Sequence, residues 1–448
     1  MKIIVGNIYS KIVTSNNDLK KALKKKYSVK VPGYKYTSQY RKGGWDGTKM
    51  YFSEKSGKFG TGLLSSILED LKYINADVEV EDVRDLFPFN SYSGLDITYR
   101  DYQKELIELA LEKRGCIIEA PTGSGKTIVL GGILKALEDK TGLIFFTKKQ
   151  LLVQTYGWLT KQGFDVGVAF GDGTDIKPIT LCTVQSIHKV IDTHVASSDF
   201  IIFDEVHEFS KGKIATKVLK SFPKASVRIG MTATVPKDKM ARTTLRAFLG
   251  PVLSEVDVQG LIGEGFLTPP TVTFHGLSEY SSHEHLDKSY VDIYEECVID
   301  SEERNKKIKA ICDNITNGKT LLLVKNLRHL EVLKEMLPNS LTLEGKDSIH
   351  VRKDTIKSFV ENDNSILIGT TIMQTGIDIP EITHLINARG LKSEIATLQA
   401  LGRALRIHKS KKEVFIHDFS DEVPYLKEHS KKRRTAYKSL KLKIQDER

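Results

Sequence analysis

From about Tyr99 onward the chain alternates short apolar runs with amphipathic stretches. GCIIEA, TGLIFFT, ITLCTV, DFIIFDE and SVRIGMTA are each brief and rich in β-branched or aromatic residues. Runs of this kind read as strands buried on both faces, and the stretches between them as helices, which together predict parallel βαβ units. A second series starts at KTLLLVK and continues through SLTLEG, SILIGTT, ITHLINA and EVFIHDF. Gly260, Gly263, Gly265, Pro269 and Pro270 cluster between the two series and mark a boundary. The pattern predicts two tandem α/β lobes, residues 93–255 and 256–448.

Residues 1–92 follow another pattern. KIIVG and TKMYF are strand-like, GLLSSILEDLKYI places apolar residues at helical spacing, and an acidic strand-like run ends at Pro88. These elements predict a small basic α+β domain ahead of the lobes. A chain of 448 residues is too long for one ordinary core, so a multi-domain organisation fits.

Charge narrows the class of partner. The net charge of +10 suits a polyanion, nucleic acid first and a membrane surface second. Residues 1–50 hold twelve Lys and Arg against Asp18 and Asp46 alone. The segment Lys427–Arg448 holds nine against three acids, and its SKKRRTAYKSLKLK reads as a basic tail that either adds backbone affinity or is a disordered, solubilising end. No apolar run approaches the roughly 18 residues of a membrane span. The start MKIIVGNIYSKIV is interrupted at Gly6, Asn7 and Ser10, unlike a secretory leader. Cys116, Cys182, Cys297 and Cys312 form no CxxC pair and stand beside no histidine cluster, so a reducing cytoplasm is expected, without structural zinc or disulfides.

One segment carries specific chemistry. APTGSGKT, Ala120–Thr127, follows the strand-like CIIEA and opens the helix-like IVLGGILKAL. A strand, a glycine loop and a helix in this order form a phosphate cradle. Gly123 and Gly125 let the backbone turn its N–H groups inward, beside Pro121, Thr122 and Ser124. The helix N-terminus adds positive potential. Lys126 is placed to reach the β- and γ-phosphates of ATP, and Thr127 to ligate Mg²⁺. FIIFDEVH then ends an apolar strand in Asp204 and Glu205: one carboxylate for the metal, its neighbour to orient or deprotonate the attacking water.

The order APTGSGKT, DEVH, TAT (Thr232–Thr234) and QALGRALR (Gln399–Arg406) resembles the superfamily 2 helicases over roughly residues 95–420. The resemblance implies two RecA-like lobes, ATP hydrolysis and movement along a nucleic acid. YRDYQ is similar to that family's adenine-reading segment, with Gln103 as base contact and Arg100 beside it. TKKQLLVQT implies phosphate contacts at Lys148 and Lys149, and TVQS implies strand contacts at Thr183 and Gln185. Thr232 and Thr234 resemble the motif that links hydrolysis to strand movement. GTTIMQTGIDIP places Thr370 on the strand and Gly376 and Asp378 on the ATP side. In QALGRALR, with Gln399, the residues Arg403 and Arg406 are three apart, which on a helix is one face; such a pair can neutralise charge on the transferring phosphoryl group.

The segment KVPGYKYTSQYRKGGWDGTKMYFSEKSGKFGTGLL resembles the small N-terminal domain of phage UvsW-type helicases. That resemblance implies branched DNA as substrate (forks and Holliday junctions, branch migration) in recombination, repair and replication. It also implies the bacterial host cytoplasm as location, and it leaves room for replication or recombination proteins as further partners. A monomer is expected. An RNA helicase of the same superfamily and a duplex translocase that remodels complexes without unwinding are the alternatives. Within RKGGWDGTKMY three readings stay open: Trp45 packs beneath a tight turn, or Arg41, Lys42 and Lys49 hold DNA backbone while Trp45 stacks on or wedges beside an unpaired base at the junction, or the segment contacts a partner protein.

Overall fold

Alternating burial along the first strands starts the N-terminal domain. In Lys2–Val5, Ile3 and Val5 point inward, and in Tyr9–Val13 the buried positions are Ser10 and Ile12. The computed structural model describes residues 1–210, 213–254, 256–278, 285, 287–370 and 379–447. The domain's sheet runs Lys58–Gly60, Tyr9–Val13, Lys2–Val5, Glu79–Asp82; only the last pairing is parallel. Helix Asn17–Lys26 starts where the Asn16 side chain accepts the Leu19 N–H, and helix Leu64–Tyr73 buries Ile67 and Leu71. A short ribbon pairs Ser28–Lys30 with Thr48–Met50.

Packing divides the chain into two units: residues 1–120 with 125–256, and 257–448 with 121–124. The N-terminal domain and the first lobe thus form one unit. A single apolar cluster explains why, since it runs from Ile3, Phe52, Phe59 and Ile67 into Phe203, Leu245 and Phe248 of the lobe. The joint is the amphipathic helix Lys239–Leu249, started by Asp238 accepting the Ala241 N–H. The Tyr51 hydroxyl donates to the Met240 carbonyl at 3.0 Å and lies 2.6 Å from Thr244 Oγ1. Arg246 Nη2 donates to Ser66 Oγ at 2.9 Å, and Asn7 Nδ2 donates to the Pro223 carbonyl at 2.9 Å.

The first lobe's sheet runs Gly173–Asp175, Gly167–Phe170, Ile179–Thr183, Gly142–Phe146, Phe200–Phe203, Val227–Thr232, Gly115–Glu119, Val252–Leu253. All pairings are parallel except the first. The five strands expected in this lobe are all present. Its central strands are buried throughout, GLIFF and FIIF as unbroken apolar runs and VRIGMT with Arg228 donating to the Phe248 and Leu219 carbonyls.

In the second unit seven parallel strands run Leu341–Leu343, Ile366–Gly369, Lys319–Leu323, Ile382–Asn387, Val414–Ser420, Pro270–Gly276, Lys443–Glu447. The supposed basic tail is part of this fold. Leu426–Ser439 is a helix, and Lys443–Glu447 is an edge strand beside Pro270–Gly276. The helix buries Leu426, His429, Ser430, Arg433, Ala436 and Tyr437. Arg433 donates to Asp418 at 2.9 Å and to the carbonyls of Leu391 and Phe419. Tyr437 and Asn387 donate to the same Asp418, and Arg304 pairs with Asp421. The Arg433 charge is tolerable this deep because each of its three guanidinium nitrogens finds an acceptor.

The closest approach at the joint is backbone to backbone. A Cβ added at Gly60 would lie 2.1 Å from the Ala247 carbonyl oxygen. Gly60→Ala should therefore destabilise the first unit by about 1–3 kcal/mol, the usual cost of overpacking. Urea unfolding of the full chain measures it, and a midpoint equal to wild type would show that the joint tolerates the methyl group.

Candidate active site

Parallel strands deliver their following loops to one edge of the sheet. In the first lobe that edge collects Ala120 after Gly115–Glu119, Thr147 after Gly142–Phe146, Asp204 after Phe200–Phe203, and Thr232 at its own strand's end. Backbone bonds fasten these ends together. The Ala120 N–H donates to the Thr232 carbonyl at 3.0 Å, and the Asp204 N–H to Phe145 O at 2.9 Å. Glu119 Oε1 accepts the Val235 N–H at 2.7 Å, tying the loop after Thr232 to the strand that leads into the glycine loop.

The loop itself has the form its sequence predicts. Gly123 and Gly125 take φ of +91° and +82°, which residues with a Cβ rarely adopt. Ser124 is buried, and its Oγ donates to the Pro121 carbonyl at 2.7 Å. The helix begins at Lys126, with Thr127 in its first turn, and Lys126 Nζ donates to the Ala120 carbonyl at 3.0 Å. Gln103 is fully buried behind the loop: a Cβ at Gly125 would lie 2.5 Å from its Nε2. Its Oε1 accepts the Arg100 N–H, which fixes the start of helix Asp101–Lys113, while Arg100 Nη1 donates to the Tyr102 hydroxyl. Two left-handed glycines, a helix start and an ammonium form a cradle that fits a triphosphate.

The acidic side is organised by a residue to which the sequence reading gave no role. Burial, then the neighbouring Glu205, holds the Asp204 carboxyl above the usual carboxylate range, while Lys126 pulls it down. Burial acts against charge on Glu205 too, but His207, Lys126 and Lys148 outweigh it and keep its pKa below the usual range. Glu205 also holds a left-handed φ of +48°, a local strain of the kind that gathers at working sites. His207 is buried, with Nδ1 3.3 Å from Glu205 and Nε2 3.3 Å from Glu208. The same Nδ1 lies 2.9 Å from Thr232 Oγ1, which is itself bonded to Thr234. His207 therefore joins DEVH to TAT. Its presence in the quoted motif was the available signal, but only the fold shows what it reaches.

The expected nucleic-acid residues lie in several places. Lys148 is exposed at the edge of the first lobe's sheet and acts electrostatically on Glu205. Thr183 is buried and donates to Ser186 Oγ at 3.0 Å, and Gln185 is exposed one turn on. In the N-terminal domain Arg41 and Lys42 are exposed, but Lys49 is not beside them: its Nζ donates to Thr244 Oγ1 at 3.0 Å on the joint helix. Trp45 is half-buried and spends its Nε1–H on the Thr48 carbonyl, while Tyr34 is the ring that lies against Gly47.

In the second unit Thr370 is buried after Ile366–Gly369, whereas Gly376 and Asp378 lie outside the described residues. Gln399 and Arg403 sit on helix Glu394–Ala404. Arg406 does not continue that helical face. The helix is capped at Leu405, where Thr268 takes over, donating from N–H to Leu405 O at 2.8 Å and from Oγ1 to Arg406 O at 3.2 Å. Burial lowers the pKa of the Arg406 guanidinium from its ordinary value. Among the described residues no helix is long and apolar enough to cross a membrane.

Burial pulls the His207 pKa down, but the paired Glu205 and Glu208 carboxylates prevail and raise it to about 9. A raised imidazolium pKa stabilises the fold below the unfolded value of about 6.5, and that contribution fades as pH climbs through about 9. The melting temperature of His207→Gln should fall short of wild type most at pH 6–7, with the gap closing toward about pH 10. A gap independent of pH would show that His207 is neutral in the folded chain.

Comparison with known proteins agrees with this arrangement. Residues 96–237 match the family described as type III restriction enzyme, res subunit, and residues 304–408 match the helicase conserved C-terminal domain. The DNA 3'-5' translocase XPB2 of Sulfurisphaera tokodaii is 24% identical over 75% of this chain and 84% of its own length. The ATP-dependent DNA helicase uvsW of Enterobacteria phage T4 is 23% identical over 89% of this chain and 86% of its own. A fragment structure of an HsdR subunit of a type I restriction enzyme from Vibrio vulnificus shares the fold, with a TM-score of 0.58 at 20% identity over 75% of this chain and 68% of that one. With a phosphate loop, a DEVH acid pair and a helicase C-terminal lobe on two parallel sheets, the chain belongs to the superfamily 2 helicases and is an ATP-hydrolysing enzyme.

Proposed function

We propose that this helicase acts on branched DNA, using ATP hydrolysis to move junctions and unwind forks. The observation that carries the reading is the basic N-terminal domain, docked on the first lobe through Tyr51, Asn7 and Arg246, in a chain whose likeness to a phage DNA helicase extends over 89% of its length. The two relatives described above are both named for action on DNA, which favours DNA over RNA.

In this reading Gly123, Gly125 and Lys126 hold the phosphates, with Gln103 and Arg100 on the base side. Glu205, kept ionised by His207, Lys126 and Lys148, orients the attacking water and accepts its proton. Arg403 and Arg406 offset the charge that builds on the transferring phosphoryl group, with Gln399 beside them. Mg²⁺ would be held by Thr127 and Asp204 and would neutralise charge on the phosphate oxygens. The His207–Thr232 bond carries the state of the acid pair to Thr234. In the same reading Lys148, Thr183, Gln185 and Thr370 contact the nucleic-acid strand, and Arg41, Lys42 and Trp45 contact the branch.

Removing one phosphate-directed donor typically costs about a hundredfold or more in turnover, so Lys126→Ala should lose DNA-stimulated ATP hydrolysis by at least that factor. Surviving hydrolysis and unwinding would displace the ATP site from this loop. At one fixed ionic strength, forks and four-way junctions should be unwound faster than blunt duplex of equal length. Equal rates would remove the branch preference, and ATPase stimulated by RNA but not DNA would replace the substrate altogether. Salt must be held constant because a chain of net charge +10 binds any of these at low ionic strength.

A further inference from the structure

A groove of about 1060 Å³ lies where the N-terminal domain meets the helix Lys239–Leu249. Its floor is closed and apolar, made by Tyr51, Phe52, Phe59 and Phe248. Its walls are cationic. Lys20, Lys49, Lys55, Lys58 and Lys220 line it, and among the described residues none of the five has a carboxylate partner. Lys21 and Lys24 line it as well; Glu54, its single acid, is bound by Lys24 at 2.8 Å.

A solvated charged face usually belongs to one element. These cations come from helix Asn17–Lys26, strand Thr48–Met50, the turn after Phe52, strand Lys58–Gly60 and the segment after helix Lys213–Val218. Folding alone brings them together, against their mutual repulsion. The Lys49 ammonium shows the result: burial lowers its pKa, and Lys220 lowers it further. Two cations confront each other here, and an incoming anion would relieve both.

The chemistry of that anion follows from what the groove lacks. Tyr51, Phe52 and Phe59 are buried, and the half-exposed Tyr9 ring is covered by Lys58, whose Nζ is 4.0 Å from its centroid. Among the described lining rings only Tyr9 is exposed, and it is engaged by Lys58 and by the edge-on Phe248, so the groove offers an unpaired base little to stack on. The site offers positive charge along its length, as a phosphate backbone requires. It is also away from the motor's strand ends. Phe248 is held by Arg228 at the start of the strand Val227–Thr232, whereas the ATP-site residue Thr232 is at that strand's finish.

We propose that this groove is a second backbone site that grips a duplex arm of the DNA substrate, apart from the track served by the motor residues. The proposal rests on the reading of DNA as substrate given above.

The test uses the full chain, a labelled duplex and a salt series. Lys55→Ala, Lys58→Ala and Lys220→Ala are combined, and compared with a charge-matched triple outside the groove, Lys72→Ala, Lys104→Ala and Lys161→Ala. Each phosphate contact contributes about 0.9 to the slope of log affinity against log salt, so the groove triple should flatten the slope by about 2–3 while the control leaves it near wild type. The same positions changed to Arg should retain the slope, and melting temperatures of all three proteins should agree. An unchanged slope in the groove triple, an equal loss in the control, or a loss confined to single-stranded DNA would each overturn the duplex site. If wild type binds and unwinds DNA while the groove triple keeps its slope, the groove alone fails; if wild type binds only RNA, the substrate reading fails with it.

Discussion

Everything chemical in this protein depends on the parallel arrangement of its strands. A parallel neighbour requires a crossover, so each strand sends its next loop out at the same edge. Residues far apart in sequence, Ala120, Thr147, Thr183, Asp204 and Thr232, become neighbours because each terminates or follows a strand of one sheet. The bonds from Ala120 to Thr232 and from Asp204 to Phe145 continue that register past the strand ends and make the loops part of the sheet's rigidity. A phosphate loop on a flexible connection would lose the alignment between its ammonium and the carboxylates opposite.

Much of this was legible in the sequence because burial on both faces leaves an unambiguous mark. FIIF and GLIFF have no polar position to misread, and the glycine loop follows its strand immediately. What was not legible has a common cause: polar residues doing the packing. The helix Leu426–Ser439 has a regular inward stripe, but Arg433, His429 and Ser430 occupy it, and a chain scanned for apolar periodicity sees only a basic tail. Arg433 becomes a core residue because Asp418, on a strand fifteen positions earlier, and the Leu391 and Phe419 carbonyls accept its hydrogen bonds. The turn at Leu405 was hidden for a related reason: Thr268, which takes the carbonyls that would extend the helix, lies on a distant segment.

The N-terminal domain illustrates a different limit. Its elements were expected, but its attachment was not, because a docking surface on a lobe carries no periodicity of its own. Gly60, Tyr51 and Asn7 look like ordinary turn and strand residues until the joint helix is placed against them. Once it is, Lys49 separates from Arg41 and Lys42 and joins a set of lysines drawn from both sides of the joint.

The position of strand Pro270–Gly276 carries a consequence for how the chain is made. Its two partners, Val414–Ser420 and Lys443–Glu447, are both synthesised long after it. The first unit, by contrast, finds nearly all its partners within residues 1–256. During translation the first unit can close while the second still has an apolar strand with neither neighbour. The order of synthesis thus favours the joint helix early and the pairing of Pro270–Gly276 with its two neighbours late.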